Sequence, residues 1–243
     1  MNKGVVIAVA IGIAAALGFM AQRHLGSGGS APATVVEKVA PIEAPAEAAT
    51  EDPAQPAAAE AVATKVPEVL PQFELADRDG RKRKLGEWKG RPLMVNYWAT
   101  WCAPCRREIP LLNDLRKQRS AQKLEIIGVA VDFREDVLKY AQETTITYPL
   151  LIGEEDGLAA VTAVGMQPAF PFTIFADSQQ RIVALKVGEL HQDEADLILD
   201  RVAAVDAGKL DLPAARQQIA EGLKEIATRR AKEAAPADKA GLG

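Results

Sequence analysis

The sequence is poor in the side chains that bind metal ions. Among its 243 residues there are only two cysteines and two histidines. The cysteines are Cys102 and Cys105, while His24 and His191 lie far from them along the chain. A closed structural zinc site needs four such ligands, and one C-x-x-C pair does not supply them without help from distant residues. The sequence therefore disfavours structural zinc, and we expect neither a metal nor another cofactor.

A strong excess of charge of either sign is also missing. The formal net charge is -4, and the 29 lysines and arginines are interspersed with the 33 aspartates and glutamates. Proteins that bind nucleic acids usually carry a basic patch or stripe. Composition alone shows no such feature, so we expect no nucleic acid partner.

The long uncharged segment of the chain lies at its N-terminus. Residues 4–21 read GVVIAVAIGIAAALGFMA. A helix of about 18 residues at 1.5 Å per residue is roughly 27 Å long, just enough to cross a hydrocarbon core. We predict that residues 1–21 anchor the chain in the inner (cytoplasmic) membrane by a single pass. A cleavable signal peptide is the alternative, and both interpretations place the remainder in the periplasm or otherwise outside the cytoplasm.

Composition divides the rest of the chain into three parts. Residues 22–66 are rich in alanine and proline and almost free of large apolar side chains, which predicts a disordered linker. Residues 67–205 have the patterning of a folded domain. Residues 206–243 form a C-terminal extension, with an amphipathic helix expected from residues 210–213 to about residue 232, followed by a loose tail. This helix either packs on the domain or contacts a partner.

The folded part alternates between strand-like and helix-like patterns, which favours an α/β fold. A short N-terminal hairpin is predicted between residues 73–75 and a segment near Leu85. Beyond it, the predicted order is strand, helix, strand, two helices, two strands and a closing helix. The strands are expected at residues 93–98, 124–131, 172–176 and 182–187, and the helices directly after the cysteines and at residues 134–143, 157–164 and 192–205.

The cysteine pair falls at the junction between a buried strand and a helix. A thiolate, not a thiol, attacks a disulfide, and a helix N-terminus lowers a thiol pKa through its unpaired N–H groups and dipole. Cys102 is placed for this effect, and Cys105 is one turn further along. Pro104 suits the first helical turn, where no N–H is required. The spacing thus predicts a reversible disulfide between Cys102 and Cys105.

Two motifs make a family resemblance specific. Residues 97–110, YWATWCAPCRREIP, resemble the active-site signature of TlpA-like and ResA-like thiol-disulfide oxidoreductases of the thioredoxin superfamily. The resemblance covers residues 67–205 and implies a thioredoxin fold, in which helices flank a central mixed β-sheet, with an N-terminal β-hairpin and a central insertion. Residues 170–175, FPFTIF, resemble the superfamily's cis-proline loop, which implies a cis bond at Pro171. Pro168 is the rival position.

The resemblance also implies roles for residues around the disulfide. Cys102 would be the attacking nucleophile and Cys105 the resolving thiol. Pro171 would border the groove in which an extended substrate segment pairs with the backbone, and Phe170 would face the substrate. Trp101 would shield the disulfide and contribute to docking, although packing alone could also explain it.

Residues near the cysteines would support the chemistry. Glu108 matches the glutamate that lies near the cysteines in ResA-like proteins and tunes their protonation, whereas the alternative is an exposed helix glutamate. Asn96 stands where plain thioredoxin has a buried aspartate, which leaves Glu108 as the acid–base candidate. Ala103-Pro104 is closer to the dipeptide of reducing thioredoxins than to strongly oxidising ones.

The resemblance favours a reductant that cycles the Cys102–Cys105 disulfide. It would take electrons from a membrane thiol donor and pass them to a disulfide in an exported protein such as apocytochrome c, a role in cytochrome c biogenesis. A disulfide oxidase or isomerase is the alternative direction, and a Cu(I)-binding or redox-sensing thiol protein is the alternative class. Met166 could assist copper, but a lone methionine is more often core. Ala99 argues against a peroxidase, which would have threonine there.

Overall fold

The computed structural model describes residues 66–234 of the chain. The predicted membrane segment at residues 1–21, the linker up to residue 65 and the tail beyond Ala234 lie outside these residues. Among the helices of residues 66–234, none is long and apolar enough to cross a membrane.

One mixed sheet of seven strands forms the centre of this described part. Its two middle strands, Leu93–Trp98 and Glu125–Val131, are buried along their whole length. Their near-continuous apolar sequence suits strands that are covered on both faces. In chain order the strands are β1 (Glu74–Asp77), β2 (Lys82–Lys84), β3 (Leu93–Trp98), β4 (Glu125–Val131), β5 (Leu150–Gly153), β6 (Phe172–Ala176) and β7 (Ile182–Val187).

The sheet order is β2-β1-β5-β4-β3-β6-β7. Strands β3, β4 and β5 run parallel, whereas β1, β6 and β7 pair antiparallel with their neighbours. The sequence prediction of an α/β fold with a central mixed sheet and an N-terminal hairpin is confirmed.

Helices cover both faces of the sheet. They are α1 (Ala103–Gln118), α2 (Arg134–Glu143), α3 (Glu155–Ala163), α4 (Gln192–Asp206) and α5 (Leu212–Ala234). Because side chains alternate along a strand, Met94 and Trp98 of β3 join one apolar cluster, with α1, α2, α4 and α5. Val95 and Tyr97 join the cluster on the other face, with α3 and the β1–β2 hairpin.

The structure corrects the predicted element order in two places. Strand β5 was missed, because its four residues are too few to show a period of their own. It pairs with β4 on one side and β1 on the other, so it joins the hairpin to the sheet. The second hairpin strand is Lys82–Lys84, and the segment near Leu85 is instead a short 3-10 turn at Leu85–Trp88.

The predicted C-terminal helix is present as α5, and it packs on the domain. Ala215, Ile219 and Ile226 are buried along one side of the helix. At Gly222, a Cβ atom would lie 2.6 Å from a methyl group of Leu197 in α4, which shows how closely the two helices approach. Of the two alternatives for this helix, packing on the domain is therefore observed.

We expect Ile219→Ala to destabilise the protein by about 2–4 kcal/mol, because it removes buried methyl groups and leaves a cavity between α5 and the rest of the domain. The exposed Lys224→Ala in the same helix should change stability by no more than about 0.5 kcal/mol. Denaturant unfolding of both variants measures the difference. Equal, small effects would contradict the packing of α5 on the domain.

Candidate active site

The two cysteines lie between the end of β3 and the start of α1. They are joined by a disulfide, and their Cα atoms are 5.3 Å apart. Cys102 is the residue that caps α1, and its Sγ accepts a hydrogen bond from the backbone N–H of Cys105 at 3.3 Å. Cys102 is 5% exposed and Cys105 only 1%, so Cys102 is the more accessible of the two residues.

The N-terminus of α1 creates a positive electrostatic potential around the Cys102 sulfur. Ala103 and Pro104 form the first turn of α1, and Pro104 does so without a backbone N–H to satisfy. The helix dipole and the N–H of Cys105 both favour negative charge at this position. Once the disulfide is reduced, the same arrangement would stabilise a thiolate on Cys102 relative to a thiol.

A cis-proline loop precedes β6, as the resemblance implied. The Phe170–Pro171 peptide bond is cis, and the rival position at Pro168 is wrong. The carbonyl oxygen of Pro171 accepts a hydrogen bond from the backbone N–H of Gly188 at 2.8 Å. Pro171 is thereby connected to the loop between β7 and α4.

Aromatic rings link this loop to the cysteine segment. The Trp101 and Phe170 rings meet edge to face with centroids 6.1 Å apart, and Phe170 also stacks on Phe172. Trp101 is 69% exposed, so packing in the core does not explain it. The two rings place an apolar surface next to Cys102.

Glu108 lies one turn after Cys105 on α1, and it is not the exposed helix glutamate of the alternative interpretation. Its side chain is buried, with the residue 2% exposed. Its Oε1 accepts a hydrogen bond from Asn96 Nδ2 at 2.7 Å, and its Oε2 accepts one from the backbone N–H of Leu190 at 2.9 Å. Asn96 Nδ2 also donates to Thr173 Oγ1 at 3.0 Å. Three separate segments therefore meet at this carboxyl group, and β6 joins them indirectly, through the bond between Thr173 and Asn96.

Burial changes the proton affinity of Glu108. Loss of solvation raises the pKa of Glu108 from 4.5 to about 7, and the negative charge of Glu189 acts in the same direction. The N–H groups of Leu190 and Asn96 and the charge of Lys186 oppose the rise, since they stabilise the carboxylate. A group with this pKa can both take up and release a proton near neutral pH.

Two side chains around the site, Thr173 and Asp132, were not predicted from the sequence. Thr173 is fully buried in the otherwise apolar strand β6. A single polar residue in such a strand is the sequence feature that could have indicated its role. Asp132, at the end of β4, accepts hydrogen bonds from the backbone N–H and the hydroxyl of Thr100, at 2.9 and 2.5 Å. It thereby fixes the segment that carries Trp101. The contribution of Leu190 comes from its backbone, which no side-chain pattern reveals.

Met166 does not approach the cysteines. It is buried in the apolar cluster on the opposite face of the sheet from the one that contains Cys102 and Cys105. It therefore acts as core, as a lone methionine usually does. Within residues 66–234, no group of three or more His, Cys, Asp or Glu side chains could hold a metal ion.

Comparisons with known proteins agree with this geometry. The AhpC/TSA family matches residues 66–185. The thiol-disulfide oxidoreductase ResA of Geobacillus thermodenitrificans is 30% identical over 144 residues, which cover 59% of this chain and 81% of that protein. The thioredoxin-like protein YneN of Bacillus subtilis is 33% identical over 134 residues, with 54% and 76% covered.

A solved structure supports the fold independently. The thioredoxin domain of a thiol-disulfide oxidoreductase from Bacteroides vulgatus superimposes with a TM-score of 0.50 at 23% identity, over 57% of this chain and 98% of that domain. The similarity in sequence to ResA extends over most of that relative, and the cysteine pair is disulfide-bonded at the start of a helix. The chain thus belongs to the ResA/TlpA-like family of thioredoxin-fold enzymes, the thiol-disulfide oxidoreductases.

Proposed function

We propose that this enzyme is a membrane-anchored reductant of disulfides in exported proteins, such as apocytochrome c, and that it cycles the Cys102–Cys105 disulfide. The observation that carries the proposal is the position of a buried Glu108, with a pKa of about 7, one helical turn after Cys105. A proton-exchanging group at this place serves a reaction in which thiols gain and lose protons.

The first step of the proposed reaction is an attack by Cys102. Its thiolate attacks one sulfur of the substrate disulfide, so that a bond forms between Cys102 and the substrate while the substrate S–S bond breaks. The second substrate sulfur leaves as a thiolate and takes up a proton. Cys102 suits this role because it caps α1 and is the more accessible of the two cysteine residues.

The second step is resolution by Cys105. Its thiol gives a proton to the Glu108 carboxylate and attacks Cys102 Sγ, which forms the Cys102–Cys105 disulfide. The bond between Cys102 and the substrate breaks, and the substrate sulfur leaves as a thiolate that takes up a proton. Two electrons have then passed from the enzyme to the substrate. A membrane thiol donor returns them by the same exchange in the opposite direction.

The surface around Cys102 suits an extended, partly apolar substrate segment. Pro171, in the cis peptide bond directly before β6, would border the site, so that a substrate backbone could lie alongside it. The rings of Trp101 and Phe170 flank the same place and offer apolar contact. In this proposal, recognition depends on the backbone and on apolar side chains next to the substrate cysteine.

The electrostatics favour reduction over oxidation. Strongly oxidising relatives of thioredoxin have a reduced form that a low-pKa thiolate stabilises. When it is ionised, the Glu108 carboxylate, one helical turn after Cys105, would oppose thiolate formation and so favour a more reducing pair. Ala103 and Pro104 between the cysteines support the same direction by their similarity to reducing thioredoxins.

The proposed location depends on the N-terminal sequence. The uncharged run at residues 4–21 is long enough for a single membrane span, and the alanine- and proline-rich linker after it would tether the domain. The catalytic domain would then lie in the periplasm, where disulfides persist in exported proteins.

We expect the reduction potential of the Cys102–Cys105 pair to be near or below about -270 mV, the value of thioredoxin. Equilibration of the full chain with dithiothreitol or glutathione buffers of known potential measures it, with Cys102→Ser as the control that has no disulfide. A potential near about -120 mV would instead identify an oxidase or isomerase.

Replacing the resolving thiol identifies the substrate. In cells, Cys105→Ser should accumulate mixed disulfides through Cys102, because the second step has no attacking sulfur. We expect mass spectrometry of the trapped partners to show exported proteins with cysteine pairs. Cys102→Ser is the matched control and should trap far less. Trapped partners that are mainly cytoplasmic proteins would contradict the proposed location.

Glu108→Gln should remove a pH dependence of stability from the oxidised protein. Because the pKa of Glu108 is raised from 4.5 to about 7 on folding, the free energy of unfolding should fall by about 3 kcal/mol as pH rises through that window. The free energy of unfolding of Glu108→Gln should not fall in this way. The difference between the variant and the wild type should therefore shift by about 3 kcal/mol in favour of the variant from acidic to alkaline pH. Denaturant unfolding across this range measures the difference.

Asp114→Asn is the matched control for Glu108→Gln, since Asp114 is an exposed carboxylate on the same helix. It should leave the pH dependence of the wild type almost unchanged. If Glu108→Gln retained the fall in stability between pH 4.5 and about 7, Glu108 would not be the proton-exchanging group.

A further inference from the structure

The loop at residues 188–191, between β7 and α4, holds two parts of the site at once. The backbone N–H of Leu190 donates to Glu108 Oε2 at 2.9 Å. The backbone N–H of Gly188 donates to the carbonyl oxygen of Pro171 at 2.8 Å. The position of this 188–191 loop therefore fixes both the surroundings of the Glu108 carboxyl group and the cis-proline segment.

Charged groups at the edges of the 188–191 loop hold it to α4. Lys186 Nζ donates to the carbonyl oxygens of Val187 at 3.0 Å and Glu189 at 3.3 Å, and it lies 3.5 Å from Glu194 Oε1. Glu194 Oε2 accepts a hydrogen bond from the backbone N–H of His191 at 3.1 Å. Glu194 is buried, so water screens these interactions less than it would at the surface.

Helix α5 supplies a second cation to the same carboxylate. Arg230 Nη1 lies 3.3 Å from Glu194 Oε1, and Arg230 Nη2 donates to Asp193 Oδ1. Arg229 Nη2 donates to Asp193 Oδ2 at 2.7 Å. The family match ends at residue 185, so these two arginines belong to a part of the chain that the match does not include.

We propose that α5 is a positioning element of the redox site, in which Arg230 acts through Glu194 to keep the 188–191 loop in place against Glu108 and Pro171. The functional meaning of this inference rests on the proposed role of Glu108 in proton exchange. Arg230 itself touches neither cysteine and is a positioning residue.

Glu108 is a suitable reporter of the loop position. Loss of the Leu190 hydrogen bond removes a group that stabilises the carboxylate, so it raises the pKa of Glu108 further. Glu189 and Lys186 lie at the same loop and act in opposite directions, and Arg107 of α1 binds Glu189 at 3.0 Å. The polar and titratable groups that act on Glu108 are Asn96 of β3, Lys186 of β7, Glu189 and Leu190 of the loop, and Tyr148 before β5.

Arg230→Met in the oxidised full chain tests the proposal with two NMR measurements. Amide hydrogen exchange at Gly188 and Leu190 should become about tenfold faster, because the loop opens more often. The titration midpoint of the Glu108 carboxyl carbon should rise by about half a pH unit, because the carboxylate loses part of its hydrogen bonding. Arg230→Lys keeps a cation opposite Glu194 and should restore most of both values.

Arg216→Met is the matched control at the other end of α5. Arg216 and Arg230 have side chains of similar exposure, 35% and 33%. Arg216 binds Glu68 and the carbonyl oxygen of Ile182, at the start of β7 and away from the 188–191 loop. Its loss should lower overall stability without changing either NMR measurement.

Unchanged exchange and an unchanged midpoint in Arg230→Met would overturn the proposal, as would equal changes in Arg216→Met. If Arg230→Met does not fold, Glu194→Gln breaks the same connection from α4 and should produce the same two changes. Neither measurement depends on sulfur chemistry. An oxidising potential of the wild type would thus contradict the reductant proposal and leave the role of α5 intact.

Discussion

The carboxyl group of Glu108 is the point on which the site depends. It receives one hydrogen bond from the Asn96 side chain in the sheet and one from the Leu190 backbone in a loop far along the chain. Burying an ionisable group is costly unless its polar atoms are paired, so these donors are what allow a glutamate to lie inside the fold. Their incomplete compensation leaves the pKa near 7 rather than at its usual value.

A single helix presents both the disulfide and the buried glutamate. Helix α1 begins immediately after Cys102 and carries Cys105 and Glu108 on successive turns. Its N-terminus favours negative charge on sulfur, whereas the buried carboxylate disfavours it. In the proposed function, the balance between these opposing effects would set the reactivity of the two thiols.

Segments at the periphery of the domain connect to the disulfide and to Glu108 through hydrogen bonds. Asp132 at the end of β4 fixes Thr100 and the Trp101 segment, and the 188–191 loop joins Glu108 to Pro171. Helix α5 packs on α4 and pairs with the acidic residues that begin it. A C-terminal extension thus contributes to the domain itself rather than only following it.

The sequence by itself determined the α/β class, the presence of an N-terminal hairpin though not the place of its second strand, the bounds of β3, β6 and β7, and the position of the cysteine pair. These features depend on local periodicity and spacing. It left Glu108 between two interpretations, and only the tertiary structure decided that Glu108 is buried, since its partners Asn96 and Leu190 come from distant segments. Strand β5 and the contacts of α5 likewise depend on pairing across the fold, which no local pattern encodes.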